Sequence, residues 1–244
     1  MITIGSLVRV AALCFGGFAG SSSADETSEV DLLLVLAADA SGSMSSIELR
    51  LQRDGYARAF RHHDTAAAIL SGALGRIAVT YVEWAGRNDQ VVVVPWTVLA
   101  DQQGIADFAA DLATTLVSNR GNATAVSSGL LFAAQQFRAT GLHSNRRTID
   151  VSGDGISDDG PPISRAHDLV VGEGIVINGL SVGLSGSEPN EPFAYMFRSS
   201  DADVHSYYRD QVIGGPGAFA IAVSGLNDFA AAIRRKLVME IASR

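Results

Sequence analysis

The sequence predicts an α/β protein, in which helices cover both faces of a mostly parallel open sheet with one antiparallel edge strand. Apolar segments of strand length alternate with segments of helical pattern through residues 30–242, and this alternation favours parallel strands joined by crossover helices. Residues 32–38 are all apolar, which is typical of a strand buried on both faces. The result is a three-layer, Rossmann-like architecture.

The strand candidates lie at residues 30–38, 76–84, 91–99, 148–151, 175–182 and 218–223. The helical patterns lie at residues 46–62, 105–116, 125–140, 163–173, 203–212 and 226–242. Only residues 85–90 separate the second and third strands, too few for a crossover helix, so we expect an antiparallel hairpin there. Pro95 in the third strand fits a sheet edge, where its missing N–H is harmless.

The first 24 residues are expected to form a signal peptide. Arg9 supplies positive charge, residues 10–18 form a short apolar core, and Ser22-Ser23-Ala24 offers small residues for cleavage. That core is too short to cross a bilayer as a helix, so membrane contact is expected only through an uncleaved signal. Residues 25–29 form a polar lead-in and residues 30–244 one domain. We therefore expect a periplasmic or secreted protein.

Charge and cysteine content exclude several classes of partner and site. The formal net charge is -8 at pH 7, which argues against nucleic acid or anionic membrane as a partner. The only cysteine is Cys14, inside the predicted signal peptide, so neither a disulfide framework nor a thiolate metal site is expected. An acidic chain of this kind suits cation binding.

Three oxygen donors follow the first predicted strand. Asp39, Ser41 and Ser43 are spaced i, i+2, i+4, which points their side chains the same way in an extended or gently turning backbone. Such hard donors make a cradle for a small divalent cation, although an ordinary turn that caps the next helix has the same composition. Thr124, just before a predicted helix, and Asp154, after the fourth strand, add two more donors in loops.

With these five residues in this order, the chain resembles the von Willebrand factor A domain family and its metal-ion-dependent adhesion site. The resemblance covers essentially the whole chain after the signal and is closest to a bacterial exported subgroup of uncharacterised function. The stretches shared with that subgroup are Leu51-Gln52-Arg53-Asp54-Gly55-Tyr56, Val151-Ser152-Gly153-Asp154-Gly155 and Val212-Ile213-Gly214-Gly215-Pro216-Gly217-Ala218-Phe219.

The resemblance implies a role for each residue of the site. Ser41 and Ser43 would coordinate the ion directly, and Asp39 would lie behind bound water or ligate weakly. Thr124 would alternate between direct and water-mediated contact, and Asp154 would complete the sphere. Two carboxylates with three hydroxyls suit Mg2+, with Mn2+ or Ca2+ as alternatives. An open coordination position would accept an acidic side chain from a protein partner, and no small-molecule substrate is expected.

An enzymatic role is not expected. The sequence has no P-loop. Asp39 could serve as the nucleophile of a Mg2+-dependent phosphohydrolase, but that chemistry would want an Asp at position 41 and a suitably placed lysine. Position 41 is Ser, and the only lysine is Lys236 in the last helix. This hydrolase and a structural module with a silent metal site remain the two alternatives.

Other polar and aromatic residues are expected to have structural rather than functional roles. His62 and His63 are expected to complement the dipole at a helix end, and Tyr207 and Tyr208 to pack in the core or at its rim. Asp158 and Asp159 are read as a solvated turn, with rim acidity or a separate Ca2+ loop with Asp154 as the alternatives.

Overall fold

The structure is a computed structural model of the 244-residue chain, and it describes residues 28–115, 120–183, 201–223 and 226–243. The predicted signal peptide and most of the polar lead-in lie outside the described residues. Within those residues, no helix has both the length and the apolar character needed to cross a membrane.

Among the described residues, six strands form one sheet in the order β3-β2-β1-β4-β5-β6. All neighbours pair in parallel except β2 and β3, which are antiparallel and place β3 at one edge. The predicted fold class and its antiparallel edge are confirmed. The strands are β1 (Leu33–Asp39), β2 (Ile77–Trp84), β3 (Gln90–Leu99), β4 (Arg147–Gly153), β5 (Val176–Val182) and β6 (Ala220–Val223).

Helices lie on both faces of the sheet. They are α1 (Ser46–Arg61), α2 (His63–Leu70), α3 (Gln102–Thr114), α4 (Val126–Ala139), α5 (Ile163–Gly172), α6 (Asp201–Tyr207) and α7 (Leu226–Ala242). After α6 the chain continues as a π-helical turn, Tyr208–Val212. Where the sequence predicts one helix at 203–212, the structure therefore has an α-helix followed by a π-helical turn. Helix α2 was not predicted.

The two faces have separate apolar cores. Side chains of α1, α2, α3 and α7 pack against one face, where β1 contributes Leu34 and Leu36. Side chains of α4, α5 and α6 pack against the other, where β1 contributes Leu33 and Val35. Every residue of β1 is buried, as its apolar sequence predicts for a central strand.

The two histidines at the first helix boundary differ from the prediction. His62 ends α1 and also caps α2, because its Nδ1 accepts a hydrogen bond from the Asp64 backbone N–H at 3.2 Å. His63 is the first residue of α2, so it lies at the end of a helix dipole that disfavours positive charge. The prediction that both histidines complement a helix C-terminus is therefore wrong for His63.

Candidate metal centre

Asp39 is the last residue of β1, and its side chain is fully buried at the carboxyl edge of the sheet. Its backbone carbonyl accepts a hydrogen bond from the Gln52 side chain of α1 at 2.9 Å. Its Oδ1 accepts the Ser41 backbone N–H at 2.7 Å. These two contacts fix the turn that leaves the strand, so the carboxylate direction is set by both the strand end and α1.

The hydroxyls of the turn connect it to the residue that follows β4. Ser41 Oγ lies 3.0 Å from Ser43 Oγ, and Ser43 Oγ donates to Asp154 Oδ1 at 2.8 Å. Ser41 is buried, Ser43 is exposed and Asp154 is partly exposed. The structure thus brings these donors into one continuous cluster that starts in the core at Asp39 and opens to solvent at Ser43.

Thr124 lies in the loop before α4 and reaches the same edge. Its side chain packs against the backbone that follows Asp154: a Cβ built on Gly155 would lie 3.3 Å from Thr124 Cγ2 and 3.6 Å from its Oγ1. The loop itself is held to the turn after β1, since the Arg120 N–H donates to the Ala40 carbonyl at 2.9 Å. All five predicted site residues therefore lie at one edge of the sheet.

A buried ion-pair group anchors this loop from below. Glu83 of β2 is almost fully buried and receives hydrogen bonds from Arg53 of α1 at 2.7 Å and from Arg120 at 2.9 Å. Because both arginines share one buried carboxylate, α1, β2 and the loop before Thr124 are joined beneath the site.

The electrostatics of Asp39 are those of a carboxylate that lacks a countercharge. Burial, and next the nearby charge of Asp154, raise its pKa from 3.8 to about 8, although hydrogen bonds from Ser41 oppose the shift. Its Oδ2 is buried and has no hydrogen-bond partner among the described residues. Unpaired buried oxygens of this kind are costly. Carboxylate and hydroxyl oxygens are the donors that hard divalent cations take, so the residues present fit such an ion.

Tyr208 is a neighbour of the site that sequence reasoning missed. A Cβ built on Gly153 would lie 2.5 Å from the Tyr208 hydroxyl and 2.9 Å from Asp39 Oδ2, so both oxygens crowd the same strand end. The hydroxyl is buried and, like Asp39 Oδ2, has no hydrogen-bond partner among the described residues. Its position comes from the π-helical turn, a feature that often marks functional sites and has no signal in the apolar pattern.

The loop after β4 carries two carboxylates with structural roles. Asp158 Oδ1 accepts the Thr124 N–H at 2.8 Å, and the Asp158 N–H donates to the Thr124 carbonyl at 2.8 Å. Asp159 accepts from the Arg87 backbone N–H and guanidinium, at 2.8 Å and 3.0 Å, and the backbone contact is the largest cause of its lowered pKa. The reading of this segment as only a solvated turn is therefore wrong: Asp158 holds Thr124 in place.

A second group of metal-binding side chains lies elsewhere. His62, His63 and Asp64 could each direct one ligand atom to a common point. His62 Nε2 lies 2.7 Å from an Arg234 nitrogen, so an arginine cation already occupies the approach to this imidazole. The group belongs to the α1–α2 junction.

Comparison with known proteins gives a family and a set of folds. The family described as Protein of unknown function (DUF1194) matches residues 29–244. A search of the curated proteins found no match.

Solved structures with the same fold are distant in sequence. Proximal thread matrix protein 1 from the mussel byssus, with a zinc-occupied MIDAS motif, is 12% identical, with a TM-score of 0.59 over 88% of this chain and 48% of that one. The pilus adhesin SpaC from Lactobacillus rhamnosus GG is 10% identical, with a TM-score of 0.60 over 87% and 31%. The conserved hypothetical protein BatB from Bacteroides thetaiotaomicron is 18% identical, with a TM-score of 0.50 over 87% and 100%.

The chain spans half or less of the length of the first two of these proteins. At these identities the likeness concerns the fold alone, and the fold is that of a von Willebrand factor A domain, as the sequence predicts.

Proposed function

The chain belongs to the family described as Protein of unknown function (DUF1194), and for this member we propose the function of an exported binding module that engages a protein partner through a divalent cation. The observation that supports the proposal most is the hydrogen-bonded cluster of Asp39, Ser41, Ser43 and Asp154, which begins at a buried, unpaired carboxylate oxygen and ends in solvent.

The proposed ligand roles follow from burial. Ser41 and Ser43 present hydroxyls beside each other and would coordinate directly. Asp39 lies deepest and would act through bound water or as a weak ligand, and Asp154 would complete the sphere from β4. Thr124, held in place by Asp158, would contact the ion directly or through water. We propose Mg2+ as the ion, with Mn2+ or Ca2+ as alternatives, because every donor is a hard oxygen.

The partner would approach from the exposed side of the cluster. Ser43 and its neighbour Gly42 are exposed, so this side of the site faces solvent. When bound, the ion would supply a positive charge with an open position for an acidic side chain of the partner. We propose that the encounter takes place in the periplasm or outside the cell, after removal of residues 1–24.

Isothermal titration of the full chain with Mg2+ and Mn2+ tests the proposal. We expect a saturable heat that is lost in Asp39→Ala and in Asp39→Asn, and retained in Asp168→Ala, which removes a carboxylate of α5 that is 79% exposed. Equal heats from the Asp39 variants and the unchanged chain would contradict the site.

The same variants separate this proposal from a silent site. An uncompensated buried carboxylate is costly, so Asp39→Asn in chelator should unfold at the same urea concentration as the unchanged chain or at a higher one, although it binds no ion. A silent site predicts that partner capture from envelope extract is the same with and without EDTA, whereas we expect capture to be lost in EDTA and in Asp39→Asn.

The phosphohydrolase alternative receives no support from the position of the lysine. Lys236 is fully buried and contacts Asp150 and Glu240 rather than Asp39. Incubation with a generic phosphate ester and Mg2+ decides between the two functions, because turnover that Asp39→Asn abolishes would favour the enzyme.

A further inference from the structure

Lys236 is the only lysine in the sequence, and it lies in the core rather than on the surface. It belongs to α7, on the sheet face that also holds α1. Its Nζ lies 2.7 Å from Asp150 Oδ1 in the middle of β4, and 2.5 Å from Glu240 Oε1 one turn later in the same helix. The side chains of all three residues are 1% exposed or less. An amine and two carboxyl groups thus meet in a site without access to bulk water.

Neighbouring side chains hold these groups in place through hydrogen bonds and a ring contact. The Tyr56 hydroxyl donates to Asp150 Oδ1 at 3.3 Å, and the Asn178 amide donates to Glu240 Oε1 at 3.1 Å. The Phe219 ring covers the amine, with its centroid 5.8 Å from Nζ. Asp150 Oδ2 and Glu240 Oε2 have no hydrogen-bond partner among the described residues.

The charges in this cluster do not balance. Two carboxylates face one ammonium group, and taking such charges out of water is expensive even when they are paired. Burial, and next the charge of Asp150, raise the pKa of Glu240 from 4.5 to about 8. Glu240 is therefore the carboxyl group of the cluster that burial favours in its protonated form, and it lies beside the amine.

We propose that Lys236 and Asp150 condense into an intramolecular amide bond, with Glu240 as the group that carries protons between them. The Lys236 ammonium group passes one proton to the Asp150 carboxylate that it contacts, and the resulting amine attacks Asp150 Cγ and forms the C–N bond. Nζ loses a proton to Glu240, and Glu240 returns a proton to the departing oxygen. The C–O bond breaks and one water leaves. An ammonium and a carboxylate become an amide and a water, so atoms and charge balance and no oxidant is needed.

Proximity makes this reaction accessible without a cofactor. Groups held at contact distance in fixed orientation react as if at very high concentration, and the pair here is fixed by a central strand and a packed helix. The product would tie β4 to the C-terminal helix. The described residues include no cysteine. Within that part of the chain, the cross-link would therefore be an amide bond rather than a disulfide.

A tryptic map of the denatured full chain tests the proposal and does not depend on where the N-terminus lies. We expect a branched peptide in which residues 148–165 are joined to residues 236–244, because trypsin does not cleave after an acylated lysine. Its mass should be lower by about 18 Da, one water, than the sum of the two peptides. In Lys236→Arg, which keeps the positive charge, the branched peptide should be absent.

Two further variants locate the chemistry. Asp150→Asn should yield a branched peptide by loss of ammonia, lighter by about 17 Da than its two parts, and Glu240→Gln should lower the branched fraction by at least tenfold. Separate, unmodified peptides 148–165 and 237–244 from the folded, unchanged chain would overturn the proposal. Should Glu240→Gln fail to fold, the map of the unchanged chain still decides.

Discussion

Gly153, at the end of β4, is the residue on which the packing of the proposed site depends most directly. An alanine Cβ there would lie within 3 Å of both the Tyr208 hydroxyl and Asp39 Oδ2. We expect Gly153→Ala to lower the free energy of unfolding by about 1–3 kcal/mol, the usual cost of overpacking, and to weaken Mg2+ binding. Urea unfolding and calorimetry measure the two effects.

Gly172→Ala is the matched control for this change. Gly172 is the last residue of α5, and a Cβ there would meet nothing within 4 Å. Alanine is the better helix former by up to about 1 kcal/mol, so this variant should be as stable as the unchanged chain or more so. Equal unfolding curves for Gly153→Ala and the unchanged chain would show that the strand end is not crowded.

At the residue scale, the sequence predicts that the motif residues lie together, but it does not predict which other residues lie beside them. Asp39, Ser41 and Ser43 could be predicted to lie together because they follow one buried strand. Tyr208 and Asp158 could not, because each reaches the site through a long-range contact with no local pattern. Lys236 and Glu240 are spaced i, i+4 in one helix, and this spacing alone does not indicate that Asp150 of β4 lies beside them.

Helix α1 begins immediately after the turn that carries Ser41 and Ser43, and a capping box sets its first residue. Ser45 Oγ accepts the Glu48 N–H at 3.3 Å, and Glu48 Oε2 accepts the Ser45 N–H at 2.7 Å. Loss of such a cap costs about 0.5–2 kcal/mol. We expect Ser45→Ala to lower the free energy of unfolding by that amount, as measured in urea.

Ser46→Ala provides the comparison, since Ser46 is exposed and is the first residue within the helix rather than its cap. It should change stability by less than about 0.5 kcal/mol, as is usual for surface substitutions. If both variants were equally destabilised, the cap would not be the cause.

The elements themselves were largely predictable, and the exceptions have physical reasons. The β2–β3 hairpin could be predicted because the loop between the two strands is too short for a crossover helix. Pro95 is exposed on the edge strand of this hairpin. Helix α2 was missed because it is short and follows α1 after a single residue, so the two helices read as one pattern and a loop. The π-helical turn was missed because an apolar period near 3.6 does not distinguish i+4 from i+5 hydrogen bonding.

For the molecule as a whole, the architecture places the proposed site where parallel α/β sheets usually bind ligands, outside the carboxyl ends of the strands. The matched family covers residues 29–244, and we propose one domain at residues 30–244. Beneath the site, Arg53, Glu83 and Arg120 join a helix, a strand and a loop. The proposed amide would add a covalent tie between sheet and C-terminal helix on one face.

The location of Mn2+ in a crystal of the full chain tests the central claim most directly. Anomalous diffraction at the manganese absorption edge reports the ion position without reference to any partner. We predict a peak about 2.2 Å from the hydroxyls of Ser41 and Ser43, beside Asp154 and Asp39. A peak only at His62, His63 and Asp64, or no peak at the carboxyl edge of the sheet, would contradict the account.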